Sequence, residues 1–349
     1  MKIYIRADAS VEIGSGHIIR CLTLADRLKP KADIAFICQE LQGNLISYIR
    51  SRGYSVGVLP PTQGSWQTDA EFTMAYVSNH SSLTVDWLIV DHYGLDARFE
   101  AMLNRHVKRV MVIDDLADRP HQCDLLLDQN PYENGEKRYL GLVKSSTTLL
   151  LGPEYALLKP EFTGAKTHVS RRSGEVRNVL VSFGGADHTG ETVKTLQSLE
   201  QLQQIVEDKL CIKVLIGKIN AQAERIHTMC ARLNNTECYG HVEDVASFMK
   251  EADLAIGSGG TTTWERCCLG LPAIVIITAD NQMELSEYAA RLGVITLLGR
   301  AEQVQIGHIR DKVLEFMRNT QQMTMMSEKG FQLVDGLGAD RTVEELLIC

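Results

Sequence analysis

The strongest constraint on this chain is an alternation that runs almost its whole length: short apolar, β-branched runs separated by helix-like stretches of about 10–20 residues. Candidate strands fall at 2–6, 33–38, 54–59, 86–90, 109–113, 124–127 and 148–151. A second series falls at 178–183, 212–216, 237–239, 254–256, 273–277 and 294–298. Strands joined by a helix run parallel, because a crossover of that length is what returns the chain to the same end of the sheet. Two such series predict an α/β chain with two doubly wound parallel-sheet, Rossmann-like domains facing a cleft. The 349 residues suffice for two cores, since one core rarely serves more than about 250–300 residues. The predicted division is an N-terminal α/β domain at 1–158, a linker at 159–176, a second α/β domain at 177–335 and a C-terminal helix at 336–349 able to cross back to the first. The linker holds Pro160, Gly164, Ser170, Ser173 and Gly174 with no sustained periodicity.

Charge and composition narrow the function. A net charge of −8 speaks against broad nucleic-acid binding, which needs a basic face. It leaves room for an anionic ligand held locally at helix N-termini or by one or two arginines. With 44% hydrophobic and 23% charged residues, the chain has the composition of an ordinary globular protein. No apolar run approaches the roughly 18 residues of a membrane span, so no membrane insertion is expected. The start, MKIYIRAD, leads directly into a strand and lacks the apolar core of a signal peptide, which points to the cytoplasm. Nine cysteines without C-x-x-C spacing read as free buried thiols in a reducing compartment, with Cys267 and Cys268 side by side in a helix. Nothing calls for a cofactor, a metal or an obligate protein partner.

In open α/β sheets ligands bind beyond the carboxyl ends of the strands, so the strand-to-helix loops carry the functional information. The first holds Gly14-Ser15-Gly16-His17. It begins like G-x-G-x-x-G, but no third glycine appears, and a dinucleotide fingerprint needs that glycine for helix–strand packing. What remains is a glycine pair that admits a ligand to the backbone, His17 in the first helical turn and Arg20 three residues on, on the same face. The positive end of a helix dipole disfavours an imidazolium, so a histidine there suits the role of a neutral base; a histidine that only packs against the turn fits the residues as well. A second loop, Phe183-Gly184-Gly185-Ala186-Asp187-His188-Thr189-Gly190, again opens a helix, and Asp187 or Thr189 fits either a cap or a sugar hydroxyl. A third, Gly257-Ser258-Gly259-Gly260-Thr261-Thr262-Thr263-Trp264-Glu265, combines exposed N–H groups with hydroxyl donors, the makings of an anion cradle. It lacks the Gly-Lys-Ser/Thr of a P-loop. Glu265, one turn into the helix, can accept both hydroxyls of a ribose or simply meet the helix dipole.

A fourth loop, Thr278-Ala279-Asp280-Asn281-Gln282, offers amide side chains. Asp91-His92-Tyr93-Gly94 and Asp114-Asp115 also follow strands, and the acidic pair reads as solvated or capping. His106, His121, His168, His227 and His308 show no partner pattern and read as incidental.

These residues together resemble a known family. Arg6-x-Asp8-x-Ser10-x-x-Ile13-Gly14-x-Gly16-His17-x-x-Arg20-Cys21-Leu22-x-Leu24-Ala25 is similar to the opening signature of the UDP-sugar hydrolases of pseudaminic acid biosynthesis, which act on UDP-2,4-diacetamido-2,4,6-trideoxy-β-L-altropyranose. The similarity continues through Val90-Asp91-His92-Tyr93-Gly94, residues 113–119, residues 151–158, the three later loops and Asp335-Gly336-x-Gly338-Ala339-x-Arg341. It thus spans nearly the whole chain. One departure is that His188-Thr189-Gly190 follow Gly-Gly-x-Asp where the family often has an asparagine. The resemblance implies a glycosyltransferase-B-like fold used for hydrolysis, with UDP-sugar as substrate and His17 as general base. Candidate substrate contacts are Asp8, Gly14, Gly16, Arg20, Tyr93, Gly185, Asp187, Thr189, Asn281 and Gln282. Candidate nucleotide contacts are Ser258, Gly259, Gly260, Thr261, Thr262 and Glu265. The implied reaction is attack of a His17-activated water on the anomeric carbon, with inversion and release of UDP. A diphosphate leaves readily, so the paired carboxylates of ordinary glycosidases are not required. A glycosyltransferase of the same fold and a UDP-sugar epimerase are the alternatives.

Overall fold

The computed structural model describes residues 1–80, 85–169, 172–206, 210–240 and 242–348. Ser170, in the expected linker, and Cys349, at the end of the C-terminal tail, lie outside them. The chain folds as two compact units, Met1–Leu157 with Leu337–Cys349, and Leu158–Gly336.

The first unit is built on a seven-stranded sheet: β1 (Lys2–Ala7), β2 (Asp33–Gln39), β3 (Ser55–Leu59), β4 (Val85–Asp91), β5 (Val107–Ile113), β6 (Leu125–Asp128) and β7 (Thr148–Leu151). Its order is β3-β2-β1-β4-β5-β6-β7, parallel throughout. The central strands are covered on both faces, which is why they read as nearly unbroken apolar runs rather than alternating ones. The helix Gly16–Leu28 places Ile18, Cys21, Leu22, Ala25 and Leu28 on one stripe, and these pack with Ile3, Ile5, Phe36 and Ile89 of the sheet. The final helix, Gly338–Ile348, adds Ala339, Val343 and Leu346 to the same core. It is pinned there by Trp87, whose Nε1 donates to the Leu346 carbonyl at 3.1 Å. At Gly338 a Cβ would collide with the backbone of Ala156, so the close approach that begins this helix requires glycine.

The second unit has a six-stranded parallel sheet: β8 (Asn178–Ser182), β9 (Cys211–Ile216), β10 (Thr236–Gly240), β11 (Leu254–Ser258), β12 (Ala273–Ile277) and β13 (Thr296–Arg300), in the order β10-β9-β8-β11-β12-β13. Its core joins Val179, Val181, Ile212, Val214, Ile256 and Ile274 of the strands to Leu196, Leu199, Ile309 and Phe316 of the helices.

Part of the stretch read as a linker is folded into this unit. Pro160–Lys166 is a helix with proline at its start and Phe162 buried. A helix this short, under two turns, cannot display a helical period in the sequence. The basic residues of the stretch act on helix ends: Lys166 Nζ donates to the carbonyls of Cys268 (3.1 Å), Phe331 (2.7 Å) and Val334 (3.0 Å). Arg172 donates to those of Met249, Ala252, Leu269 and Gly270. Both cations sit where Val245–Glu251, Thr262–Cys268 or Thr320–Leu333 end and leave carbonyls without intrahelical partners. Among the described residues no helix is long and apolar enough to cross a membrane.

Candidate functional site

A doubly wound sheet has one place where its winding reverses, and there the loops on either side diverge and leave a crevice. In the first unit that place lies between β1 and β4. The loop after β1 leads to His17, and β4 ends on Asp91. The two side chains meet across the reversal, with His17 Nδ1 2.5 Å from Asp91 Oδ1. Arg20, one turn further along the helix, grips the same carboxylate through Nε (2.6 Å) and Nη2 (2.6 Å) and reaches Asp115, after β5, through Nη1 (2.9 Å).

The electrostatics fix the histidine's tautomer. Burial works against the charge on Asp91, but the Arg20 guanidinium and His17 outweigh it and hold the carboxyl far below the usual range. Asp91 is therefore ionised and can only accept, so Nδ1 carries the hydrogen. In the neutral ring Nε2 is then the basic nitrogen. It makes no hydrogen bond among the described residues. Tyr93 lies edge-on to the imidazole with ring centroids 4.6 Å apart. The left-handed backbone at Gly14 (φ 79°) and its N–H bond to the Ser10 carbonyl (2.9 Å) fold the loop before His17, whereas Gly16 begins the helix with an ordinary φ.

Two of the expected substrate contacts are tied into the protein's own buried network. Asp8 is fully buried, and its oxygens are taken by Arg6 (2.7 Å), the Gln39 N–H (2.7 Å) and Gln39 Nε2 (3.2 Å). Arg20 is likewise buried, with three of its five N–H groups given to Asp91 and Asp115. The reading of the Asp114-Asp115 pair as solvated or capping is corrected for Asp115, which pairs with Arg20. Asp114 does cap its turn, accepting the Ala117 N–H at 2.9 Å. His121 is not incidental: it is buried, with Nδ1 2.6 Å from Glu100. His92, next to Asp91, has Nδ1 accepting the Gly94 N–H (2.9 Å) and Nε2 3.5 Å from Asp8. Burial and the Arg6 charge push it down to about 4, so it stays neutral.

In the second unit the winding reverses between β8 and β11, and the two glycine-rich loops follow those two strands. Gly257 faces the Ser182 carbonyl so closely that a Cβ would collide with it, and a Cβ on Gly259 would fall 2.5 Å from Ser286 Oγ. Gly260 is left-handed (φ 92°). The glycines are thus needed for the loop to exist. Thr261 and Thr262 open the helix Thr262–Cys268, and Ser258 is buried at the end of β11. Beneath the loop Arg266, buried, donates to the Ser258 carbonyl at 2.8 Å; burial lowers it to about 10. Nothing in the sequence around it marks this cation as part of the loop. Glu265 is pushed up to about 7 by burial, against the pull of Lys159 and Arg266.

The remaining candidates divide. Asp187, in left-handed backbone (φ 47°), accepts the N–H groups of Glu191 and Thr192, both at 2.9 Å. The helix cap, one of its two sequence readings, is present, with each oxygen accepting one N–H group. Gln282 Oε1 accepts from the Thr278 N–H (3.1 Å) beside Gly259. Asn281 is exposed, as are Gly185 and Thr189. Thr189 lines an open depression of about 460 Å³ with Lys194, Gln222, Arg225 and Gln305. Among the described residues no three His, Cys, Asp or Glu side chains converge as a metal site requires.

Known proteins resemble this chain in sequence and in fold. Residues 179–337 match the glycosyltransferase family 28 C-terminal domain. The chain is 27% identical to the UDP-2,4-diacetamido-2,4,6-trideoxy-β-L-altropyranose hydrolase of Campylobacter jejuni, over 84% of this chain and 97% of that one. It is 24% identical to the spore coat polysaccharide biosynthesis protein SpsG of Bacillus subtilis, over 98% and 96%. Among solved structures the crystal structure of Acinetobacter baumannii MurG is similar, with a TM-score of 0.71 at 13% identity, covering 100% of this chain and 99% of that one. The fold is glycosyltransferase-B-like, with two Rossmann-like parallel-sheet domains.

Proposed function

We propose that this protein is an enzyme that hydrolyses a UDP-linked 2,4-diacetamido-2,4,6-trideoxy sugar to UDP and the free sugar, in pseudaminic acid biosynthesis. The observation that carries the reading is the His17–Asp91 contact of 2.5 Å, which directs the basic Nε2 away from the carboxylate. The similarity to the Campylobacter hydrolase supplies the substrate class.

In this mechanism Nε2 of His17 takes a proton from water as its oxygen bonds to the anomeric carbon. The bond from that carbon to the diphosphate oxygen breaks on the opposite face, and the electron pair leaves with UDP. The product sugar is inverted. Asp91 steadies the imidazolium that forms, as a carboxylate does for any histidine base it orients. Tyr93, against the ring, limits its rotation. In the second unit the loop 257–262 offers backbone N–H groups and hydroxyls to the diphosphate, with the buried Arg266 charge behind it, and Glu265 accepts the ribose hydroxyls.

Proton NMR of the protein mixed with the UDP-diacetamido sugar tests this. The anomeric signal of the nucleotide sugar should be replaced first by the inverted free sugar, with no acceptor present. His17→Ala should abolish turnover and leave UDP binding unchanged. A requirement for an acceptor would make the protein a glycosyltransferase, and an epimerised nucleotide sugar would make it an epimerase; either result defeats the proposal.

A further inference from the structure

At the edge of the second sheet, two cysteines and a histidine meet outside the glycine-rich loops. The helix Ala223–Cys230 follows β9 and runs back along the sheet, so its last residue lies toward the opposite end from those loops. His227 and Cys230, three apart, share one helical face. That face packs on β10, where Cys238 joins Cys230 at the margin of the core. Cys238 Sγ lies 2.8 Å from His227 Nδ1, and Cys238 is the neighbouring group that acts most on the Cys230 thiol. All the described cysteines are free thiols.

The two thiols are not equivalent. Cys230 is 3% exposed, and burial followed by the neighbouring Cys238 pushes its thiol up to about 12, so it stays protonated. Cys238 is half-buried, and its neighbour His227 is exposed. On the strand Glu237 and Tyr239 alternate to the other face, where they bond to each other. Lys213 of the adjacent β9 pairs with Glu251 at 2.6 Å. His227 is therefore the polar partner of the Cys238 thiol. An opening of about 390 Å³ lined by Cys211, Asn235 and Glu237 reaches Cys230.

We propose that Cys238 and Cys230 form a two-thiol site that reacts with hydroperoxides and closes to a disulfide, with His227 as the base for Cys238. In the first step His227 takes the Cys238 proton and the thiolate attacks the terminal peroxide oxygen. The O–O bond breaks, the leaving oxygen takes a proton and departs as water (or as alcohol from an organic peroxide), and Cys238 becomes a sulfenic acid. In the second step Cys230 sulfur attacks Cys238 sulfur, its proton goes to the departing hydroxyl, and water leaves. One peroxide is reduced and two thiols are oxidised to one disulfide. The position, beside a base and partly accessible, is the environment in which a cysteine becomes reactive. This inference is independent of the hydrolase reading.

The test uses the reduced full-length protein treated with hydrogen peroxide and followed by mass spectrometry. The expected result is the loss of two hydrogens, a peptide cross-linked through Cys230 and Cys238, and reversal by dithiothreitol. Cys230→Ser, or Cys230→Ala if the serine variant does not fold, should stop at the sulfenic acid, trapped as a dimedone adduct on Cys238. Cys238→Ser should form neither product. His227→Ala, with unchanged melting temperature, should slow the adduct by about tenfold or more. A disulfide between any other pair, no adduct on Cys238, or an undiminished rate in His227→Ala overturns the proposal.

Discussion

Replacing Asp91 with asparagine isolates the step in which the carboxylate acts through His17. The ionised carboxylate accepts from Nδ1 and also neutralises Arg20, at 2.5 and 2.6 Å. Asparagine keeps the shape but can present its NH2 group to Nδ1, which then has to accept, and the proton moves to Nε2. The base is lost along with the charge that would steady an imidazolium. General-base contributions of about 10²–10⁴ in rate correspond, at 1.36 kcal/mol per tenfold, to about 3–5 kcal/mol of barrier. The expected outcome is a fall of that size in kcat with KM nearly unchanged. Stability should fall less than the roughly 3–5 kcal/mol typical of a broken buried pair, because Arg20 keeps Asp115 at 2.9 Å. The assay is UDP release from the UDP-diacetamido sugar, measured in wild type, Asp91→Asn, His17→Ala and the double variant. If Asp91 works only through His17, adding Asp91→Asn to His17→Ala costs nothing more. A single variant within about threefold of wild type, or additive losses in the cycle, would refute the reasoning.

Two further outcomes follow from the second unit. Glu265, raised from 4.5 to about 7 by burial, should bind a ribose diol only as the carboxylate, so the ligand competes with a proton. Affinity for uridine, which has no titrating phosphate, should then be half-maximal near pH 7, approach its full value by about pH 8 and fall by roughly thirtyfold between pH 8 and pH 5.5. Calorimetry on wild type and Glu265→Gln checks this, since the variant should bind weakly with no pH dependence; a flat wild-type profile rejects the contact. Lys166→Met keeps the apolar stem but removes three bonds to carbonyls and the ammonium's place over the Phe331 ring. Discounted for its partial exposure, the loss should be about 2 kcal/mol, a drop of roughly 4–8 °C in the melting temperature of this unit. An unchanged melting curve would show that the cation does not secure the helix ends.

The strands are legible because parallel sheets covered on both faces demand apolar runs, and the turns between them demand glycine, proline and capping residues. The expected strands of the first unit, such as 2–6 and 148–151, match β1 and β7 to within a residue or two. In the second unit β13 slides from 294–298 to Thr296–Arg300, and Val294 and Ile295 are buried in the turn ahead of it. Short-range pattern is blind to charges that the fold buries. Arg6 lies inside β1 and is fully buried, and its partner Asp69 is 63 positions away. Lys166 and Arg172 look like linker charges until the helix ends they serve are in place.

The same limit explains Asp91. As one of several acids after strands it has no distinguishing neighbour in the sequence, and the pattern singles out His17 alone. What links them is strand order: β1 and β4 are 84 positions apart at the Lys2–Asp86 hydrogen bond and yet adjacent in the sheet. In a doubly wound sheet the first strand lies at the reversal, so the loop after it should always be read together with the loop after the strand that begins the second half. Applied here, that rule pairs Gly14–His17 with Asp91–Tyr93. Applied to the second unit, where β8 is adjacent to β11, it pairs the loop at Gly184-Gly185 with that at Gly257–Gly260. In both units the residues with the least slack in geometry sit at the one point where the winding turns: a 2.5 Å contact in one, and glycines that no side chain can replace in the other.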